Sequence, residues 1–411
     1  MKNAVLPEGL PSPAYILDET LLKRNLEKIR AVSEASGAEF ILALKGFAMW
    51  SAFPIFNAAG FSKATASSPW EARLAMEEMG SPAHTYAPAY TNEEMEEVAS
   101  MSSHITFNSL AQFRRFADKA KEINSAVSLG LRVNPELSLV ETDLYNPCGE
   151  SSRLGVRRSE LPEPSAWPAD LEGMHCHALC ESSADDSAQL IQRFEEKFGG
   201  YLPRLRWVNF GGGHLVTRAG YDTDAFVSAV RAFKARHPHL HVIFEPGSAF
   251  AWQTGYLLCT VLDLIERPGQ PATAIVNVSF TAHMPDCLEM PYKPQIVGAF
   301  DPEHPEKGVC RIADGETLSG WSRADIRPED GRYEYRIGGN SCLAGDQIGT
   351  WRFDHALRPG EMLLFHDMIH YTMVKTTTFN GVKHPAVCIV KDGQLIYKHT
   401  FTYADYKGRL S

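Results

Sequence analysis

Residues 39–45, Glu-Phe-Ile-Leu-Ala-Leu-Lys, begin an alternation of strand-like and helical segments from which the fold is predicted. This short, mostly apolar run predicts a buried strand. The stretch at 69–79 then repeats apolar residues three and four positions apart, which predicts an amphipathic helix. The alternation of strand-like and helical segments continues to about residue 250. It predicts an α/β fold, in which a TIM-like (β/α)8 barrel is favoured over an open sheet.

The region after residue 250 has a different character, with few helical stretches. We therefore predict a barrel at 26–275 and a mostly β C-terminal domain at 276–411, with an N-terminal segment at 1–25 that packs on the β domain. The stretch 301–330, rich in Pro, Gly and charge, predicts a loop or insertion of unassigned role. The β-like runs are 256–265, 274–280, 362–365, 371–379 and 385–390.

The composition disfavours several classes of protein. The chain has 411 residues, of which 44% are hydrophobic and 22% charged, as in globular proteins of two domains. Its net charge of -10 disfavours binding to nucleic acid or to an anionic membrane. It lacks an apolar run of about 18 residues and an apolar N-terminal signal. The eight scattered cysteines, without a Cys-x-x-Cys pair, then predict reduced thiols and a cytoplasmic protein.

Lys45 stands at the carboxyl end of the first strand, where barrel active sites are built. Its apolar flank would desolvate the amine, lower its pKa and favour a Schiff base with a carbonyl group. A lysine that extends from the strand end into solvent is the alternative.

Two further strand ends carry residues that could bind a cofactor. Gly211, Gly212 and Gly213 follow a strand, and their successive N–H groups could converge on an anion, although a tight turn fits as well. Glu245, in Glu-Pro-Gly, also follows a strand. Its carboxylate could hold a protonated pyridine nitrogen, with a structural role as the alternative.

His175 and His177 share one face of a strand, with Cys176 on the other. Because paired cysteines at finger-like spacing are missing, we predict no metal site, and a histidine stacked on a flat ring fits better. In the loop 339–346, the thiol of Cys342 could donate a proton, or it could be an inert cysteine.

Taken in this order, these elements resemble the pyridoxal-phosphate decarboxylases of the alanine-racemase-like fold (fold type III), which include ornithine and diaminopimelate decarboxylases. The resemblance runs from residue 13 to residue 381. Within this family the chain is most similar to the carboxynorspermidine/carboxyspermidine decarboxylases. The motifs that carry this similarity are 42–48, 64–71, 283–286, 341–346 and 370–381.

The resemblance implies a pyridoxal 5'-phosphate-dependent carboxy-lyase of polyamine (spermidine) biosynthesis, and a homodimer with shared active sites. Lys45 would carry the cofactor, and Cys342 would act across the dimer interface as general acid. Glu245, Asp286 and Asp346 would contact the substrate. The implied cofactor-binding residues are Lys45, His177, Gly211, Gly212, Gly213, Glu245, Gly247 and Tyr371.

One position departs from the family, because relatives commonly have Arg where this chain has Ser248. The departure disfavours a substrate with a second carboxylate, and an acidic Asp286 suits a cationic tail, although Arg132 and Arg153 are available. Two alternatives stay open. The first is a decarboxylase of diaminopimelate or another basic amino acid, and the second is a non-catalytic cofactor-binding homologue with a regulatory role.

Overall fold

The computed structural model describes residues 6–140, 142–312 and 333–411. Of the loop expected at 301–330, residues 313–330 lie outside the described part of the chain. The chain forms two compact units. We call residues 25–250 the barrel unit, and residues 1–24 together with 251–411 the β unit.

The described barrel unit contains a ten-stranded sheet in which all pairs are parallel. The first two of its strands are separated by Ile41 alone and form the two ends of the sheet, so the sheet begins and ends on one stretch of chain, as in a barrel. After β1 (Ala14–Asp18), which belongs to the β unit, the strands are β2 (Glu39–Phe40), β3 (Leu42–Ala43), β4 (Ala64–Ala66), β5 (Ala83–Tyr86), β6 (Ser102–Phe107), β7 (Ser128–Asn134), β8 (Val156–Arg157), β9 (Leu171–His175), β10 (Trp207–Asn209) and β11 (His241–Phe244).

Helices alternate with these strands, which confirms the predicted (β/α)8 barrel. The helix predicted at 69–79 is α3 (Pro69–Leu74) followed by a π-helical turn, Ala75–Met79. Ser68 and Ser109 accept N–H groups at the starts of α3 and α5 (Leu110–Ile123), as expected for N-cap residues. The helices are α1 (Glu19–Ser36), α2 (Phe53–Ala58), α3 (Pro69–Leu74), α4 (Asn92–Met101), α5 (Leu110–Ile123), α6 (Ala184–Phe198), α7 (Thr223–Arg236) and α8 (Ser248–Ala251).

Side chains fill the barrel interior. The indole of Trp207 lies against two glycines, where a Cβ would come within 2.3 Å (Gly130) and 2.0 Å (Gly173) of its ring atoms. His84 stacks on His104 with ring centroids 3.9 Å apart. Burial lowers the pKa of these imidazoles to about 3 and about 4 respectively, so both are neutral at pH 7.

The β unit is built on one mixed sheet with the strand order β15 (Gln347–Phe353), β14 (Tyr333–Gly338), β13 (Ala272–Val276), β12 (Gly255–Ile265), β1, β17 (Ala386–Lys391) and β18 (Gln394–His399). A further strand, β16 (Met362–His366), pairs with β12. Since β12 and β13 belong to this unit, the barrel boundary predicted at residue 275 moves to residue 250. Its further elements are α9 (Phe280–His283), α10 (Pro285–Glu289) and α11 (Tyr403–Gly408).

The stretch 371–379, predicted to be β-like, forms turns and irregular backbone instead of a strand. Within the described ranges, no helix is both long and apolar enough to cross a membrane.

Candidate active site

Lys45 lies in a tight turn directly after β3. Both Gly46 N–H and Phe47 N–H donate to the Ala43 carbonyl, at 3.0 and 3.2 Å. Ala43 N–H donates to the carbonyl of Pro246, and a Cβ on Gly247 would lie 3.1 Å from the Cα of Gly46. The lysine turn and the Glu-Pro-Gly segment are therefore in direct backbone contact.

The surroundings of Lys45 favour a neutral amine. Its side chain is accessible to solvent, yet desolvation by the surrounding protein lowers the pKa of the ammonium group. The positive charge of Arg132 lowers this pKa further, and the negative charge of Glu245 opposes the change. A lowered pKa leaves a larger fraction of nucleophilic amine at neutral pH.

Glu245 is a buried carboxylate with two fixed partners. His175 Nε2 donates to its Oε2 at 3.2 Å, and Asn209 Nδ2 donates to its Oε1 at 2.6 Å. Burial raises the pKa of this carboxyl, but His175 and Asn209 outweigh burial and bring the pKa to about 2. Burial lowers the pKa of His175, so a neutral imidazole faces a carboxylate that stays ionised.

The glycine loop orients two side chains. Gly211 N–H donates to Asn209 Oδ1 at 2.8 Å, and Gly212 N–H donates to His177 Nδ1 at 2.7 Å. Two of the three N–H groups that the sequence suggested for an anion are thus engaged within the protein. A Cβ on Gly213, which has φ +91°, would lie 2.2 Å from the Leu179 carbonyl oxygen, so the loop requires glycine there.

His177 presents a neutral, oriented ring. Burial lowers its pKa well below the usual value, and because Nδ1 accepts from Gly212, the proton resides on Nε2. Its ring is nearly parallel to that of His175, at an angle of 16°, although β9 ends at His175 and His177 lies beyond the strand on which both were predicted. Arg132 donates to the His177 carbonyl at 3.1 Å and covers the ring of Tyr86.

In the β unit, Cys342 is exposed on the loop that joins β14 to β15. Its N–H donates to Asn380 Oδ1 at 2.8 Å. Asp346, on the same loop, is buried and accepts hydrogen bonds from main-chain and side-chain donors of the protein. The exposed thiol and the buried carboxylate therefore occupy different environments four residues apart.

Asp286, at the start of α10, already has a cationic partner. Lys375 Nζ lies 2.6 Å from Asp286 Oδ1 and 2.7 Å from Glu289 Oε2. The same Nζ is 5.9 Å from the ring centre of Tyr371, whose φ of +40° is uncommon for a bulky residue. Asp286, Tyr371 and Lys375 thus form one cluster, which we call the acidic pocket, with Glu289 as its fourth member.

The structure brings the predicted barrel residues together and adds others that the sequence analysis did not assign. Asn209 links the glycine loop to Glu245, and its position between a strand and three glycines was the available signal. His175 had a signal in its alternation with His177. Lys375 lies within the motif 370–381, but that motif gave it no role, and Glu289 had no signal, because no local pattern distinguishes it from a surface charge.

Comparison with known proteins gives a consistent result. Residues 14–369 match the family described as pyridoxal-dependent decarboxylase, C-terminal sheet domain. The chain is 48% identical to a carboxyaminopropylagmatine decarboxylase of Synechocystis sp., over 98% of this chain and 96% of that protein. It is 41% identical to a carboxynorspermidine/carboxyspermidine decarboxylase of Campylobacter jejuni, over 98% and 99% of the two chains.

Solved structures agree with these matches. The crystal structure of carboxynorspermidine decarboxylase complexed with norspermidine, from Campylobacter jejuni, has a TM-score of 0.82 and 39% identity, and the match covers 97% of this chain and 100% of that one. An arginine decarboxylase of Paramecium bursaria Chlorella virus, at 16% identity and a TM-score of 0.73 over 92% and 96% of the chains, shares the fold.

Proposed function

This chain belongs to the family of pyridoxal-dependent decarboxylases, and we propose that it decarboxylates carboxynorspermidine or carboxyspermidine to norspermidine or spermidine. The observation that carries this proposal is the end-to-end similarity to carboxynorspermidine decarboxylase, at a TM-score of 0.82. Two relatives, at 41% and 35% identity, have the name carboxynorspermidine/carboxyspermidine decarboxylase.

The barrel residues fit pyridoxal 5'-phosphate. Lys45 offers an amine of lowered pKa for covalent attachment, and Glu245 offers an ionised carboxylate for a protonated ring nitrogen. His177 offers a neutral flat ring, Gly211 and Gly213 leave no room for side chains, and a Cβ on Gly247 would lie 3.1 Å from the Cα of Gly46. When bound, the cofactor supplies a ring that accepts the electron pair left on the substrate when CO2 departs.

The protein residues then handle protons and orientation. Glu245 would keep the ring nitrogen protonated, because its own pKa of about 2 leaves it negative at neutral pH. His177 would hold the ring plane, and Lys45 would hold the cofactor through its amine. Cys342 donates a proton to the carbon that has lost CO2. We place this thiol at the active site of the partner subunit in a homodimer, which the exposed Cys342 and the exposed Leu343 support.

The acidic pocket is the proposed site for the cationic tail of the substrate. Asp286 and Glu289 provide two negative charges and Lys375 provides one positive charge, so the pocket keeps a net negative charge. An ammonium group of the tail would compete with Lys375 for these carboxylates. We also assign the protein to the cytoplasm, on the scattered cysteines of its sequence.

A second substrate has a specific observation in its favour. The relative at 48% identity is a carboxyaminopropylagmatine decarboxylase. Agmatine ends in a guanidinium group, which binds carboxylates through two parallel hydrogen bonds. The Asp286–Glu289 pair suits this tail as well as an ammonium tail.

The test is CO2 release by the purified, cofactor-loaded protein with four substrates side by side: carboxynorspermidine, carboxyspermidine, carboxyaminopropylagmatine and meso-diaminopimelate. We expect the highest kcat/KM with one of the first two. A preference for carboxyaminopropylagmatine would select the second candidate. A preference for diaminopimelate, or no release from any of the four, would overturn the proposal.

A further inference from the structure

The loop that carries Cys342 is organised around one buried carboxylate. Asp346 is 5% exposed, while residues 342–345 are all exposed. The Asp346 carboxylate accepts four hydrogen bonds. The donors are Phe280 N–H (2.7 Å) and Thr281 N–H (3.3 Å) to Oδ1, and Ser341 N–H (3.1 Å) and Ser341 Oγ–H (2.6 Å) to Oδ2.

These four hydrogen bonds occupy all the acceptor sites of the Asp346 carboxylate. An ionised Asp has about four lone-pair sites on its two oxygens. The backbone also closes over it, because Gly339 N–H donates to the Asp346 carbonyl at 2.7 Å and a Cβ on Gly339 would lie 2.4 Å from Oδ2. A substrate ammonium group could reach this carboxylate only by displacing protein donors, so the expected role of Asp346 as a substrate ligand fits poorly.

The same contacts connect Asp346 to the thiol. Asp346 binds the backbone and the hydroxyl of Ser341, which directly precedes Cys342. Asn380 accepts the N–H of Cys342 itself. The main chain around the thiol is thus held on one side by Asp346 and on the other by Asn380, within a loop that is otherwise exposed.

We infer that Asp346 is a positioning residue that places the Cys342 thiol for proton donation and does not bind the substrate tail. This inference rests on the proposed function, because it needs Cys342 to act as the proton donor. The effect is geometric, since a displacement of about 1 Å at a reacting group can cost about 100-fold in rate.

The first test is Asp346→Asn, which keeps the size but turns an NH2 group toward protein donors. We expect kcat to fall by about 100-fold while KM for the preferred substrate changes by less than about 2-fold. The rate at which iodoacetamide alkylates Cys342, measured by mass spectrometry of its peptide, should change by at least about 3-fold. A rise in KM of about 10-fold or more, with kcat and alkylation unchanged, would overturn the inference.

The matched variants change Asn380, which accepts the N–H of Cys342 on the other side of the thiol. Asn380 has φ +56°, so Asn380→Gly removes the acceptor without backbone strain, and Asn380→Asp keeps an acceptor for the Cys342 N–H. We expect Asn380→Gly to reproduce the fall in kcat at constant KM, and Asn380→Asp to retain most of the activity. If Asn380→Gly matches wild type in both kcat and alkylation, the thiol needs no such anchoring and the inference fails.

Two controls keep the test decisive. If Asp346→Asn does not fold, as judged by circular dichroism, Ser341→Ala is used instead, because it removes one of the four donors. We expect it to change kcat and the alkylation rate in the same direction, but by less. The alkylation rate is measured without substrate or turnover. A wild-type protein that releases no CO2 would therefore count against the proposed function, while the alkylation rates still decide whether Asp346 positions the thiol.

Discussion

The Glu245 carboxylate of the barrel unit bonds to two buried side chains, whereas the Asp286 carboxylate of the β unit bonds to a partly exposed lysine. Glu245 is enclosed by His175 and Asn209, and glycines without room for a Cβ surround them. In the acidic pocket, Lys375 and Glu289 are partly exposed, with side-chain exposures of 27% and 49%. The Glu245 carboxylate is therefore held by partners that solvent does not reach, while the carboxylates of the acidic pocket share a cation that solvent does reach.

The largest expected effect tests the barrel as the cofactor site. Lys45→Ala should abolish the absorption of lysine-bound cofactor and lower kcat by about 10⁴-fold, the upper range for a positioned proton-transfer group. The measurement is the visible spectrum together with CO2 release. Lys63→Ala is the matched control, because Lys63 makes a partly exposed ion pair with Glu39 and should change stability by at most about 1 kcal/mol. A retained band in Lys45→Ala would contradict the assignment.

Gly213→Ala tests how tightly the glycine loop is packed. Its Cβ would contact the Leu179 carbonyl, so we expect a loss of about 3 kcal/mol in the free energy of unfolding, from overpacking added to the left-handed backbone. Gly220→Ala is the control, since Gly220 has φ +75° but no atom within 4 Å of its Cβ, and should lose about 1 kcal/mol. Equal losses in urea unfolding would show that the loop is not tightly packed.

Buried neutral histidines make the barrel sensitive to acid. The pKa of His84 is lowered to about 3 and that of His104 to about 4, so between these values and pH 6.5 the unfolded state binds more protons than the folded state. The free energy of unfolding therefore falls as the pH decreases, by about 2 kcal/mol per ring between pH 7 and pH 5. His84→Phe should remove the contribution of His84, about 2 kcal/mol between pH 7 and pH 5, as measured by urea unfolding. An unchanged slope would assign the acid sensitivity to other groups.

The smallest expected effect tests whether the cationic tail of the substrate replaces Lys375 in the acidic pocket. Lys375→Met removes the ammonium group that occupies Asp286 and Glu289, so we expect KM for the preferred substrate to fall by about 3-fold with kcat unchanged. Lys391→Met is the control, because Lys391 pairs with Glu19 in the same unit and should leave KM unchanged. A higher KM in Lys375→Met would mean that Lys375 orients the carboxylates rather than competing with the tail.

The barrel was predictable because its signals are local. The apolar run at 39–45 and the three-and-four spacing at 69–79 reflect burial of each element on its own. The first forms two short strands, β2 and β3, instead of one, and the second forms α3 and a π-helical turn. The boundary was not predictable to the residue. Because β12 and β13 are apolar strands like those of the barrel, only their pairing with β1, β14 and β16 assigns them to the β unit.

The β unit contains a segment whose structure was predicted wrongly from its local sequence. The segment 371–379 has β-rich composition, yet tertiary contacts hold it in turns that place Tyr371 beside Lys375. Composition reports the preference of a residue for a pleated surface, and this preference is overridden when other contacts are more favourable.

The barrel, the mostly β domain that follows it in sequence, and the residue types at the strand ends could all be predicted, because burial and strand periodicity leave a pattern in adjacent residues. The tertiary structure alone decided the partners of each charged group. Asp286 bonds to Lys375, which is distant in sequence, and Asp346 is surrounded by donors from α9 and from Ser341. A carboxylate acts as a ligand, a base or a structural acceptor according to its hydrogen-bond donors, and these come from segments that only the fold brings together.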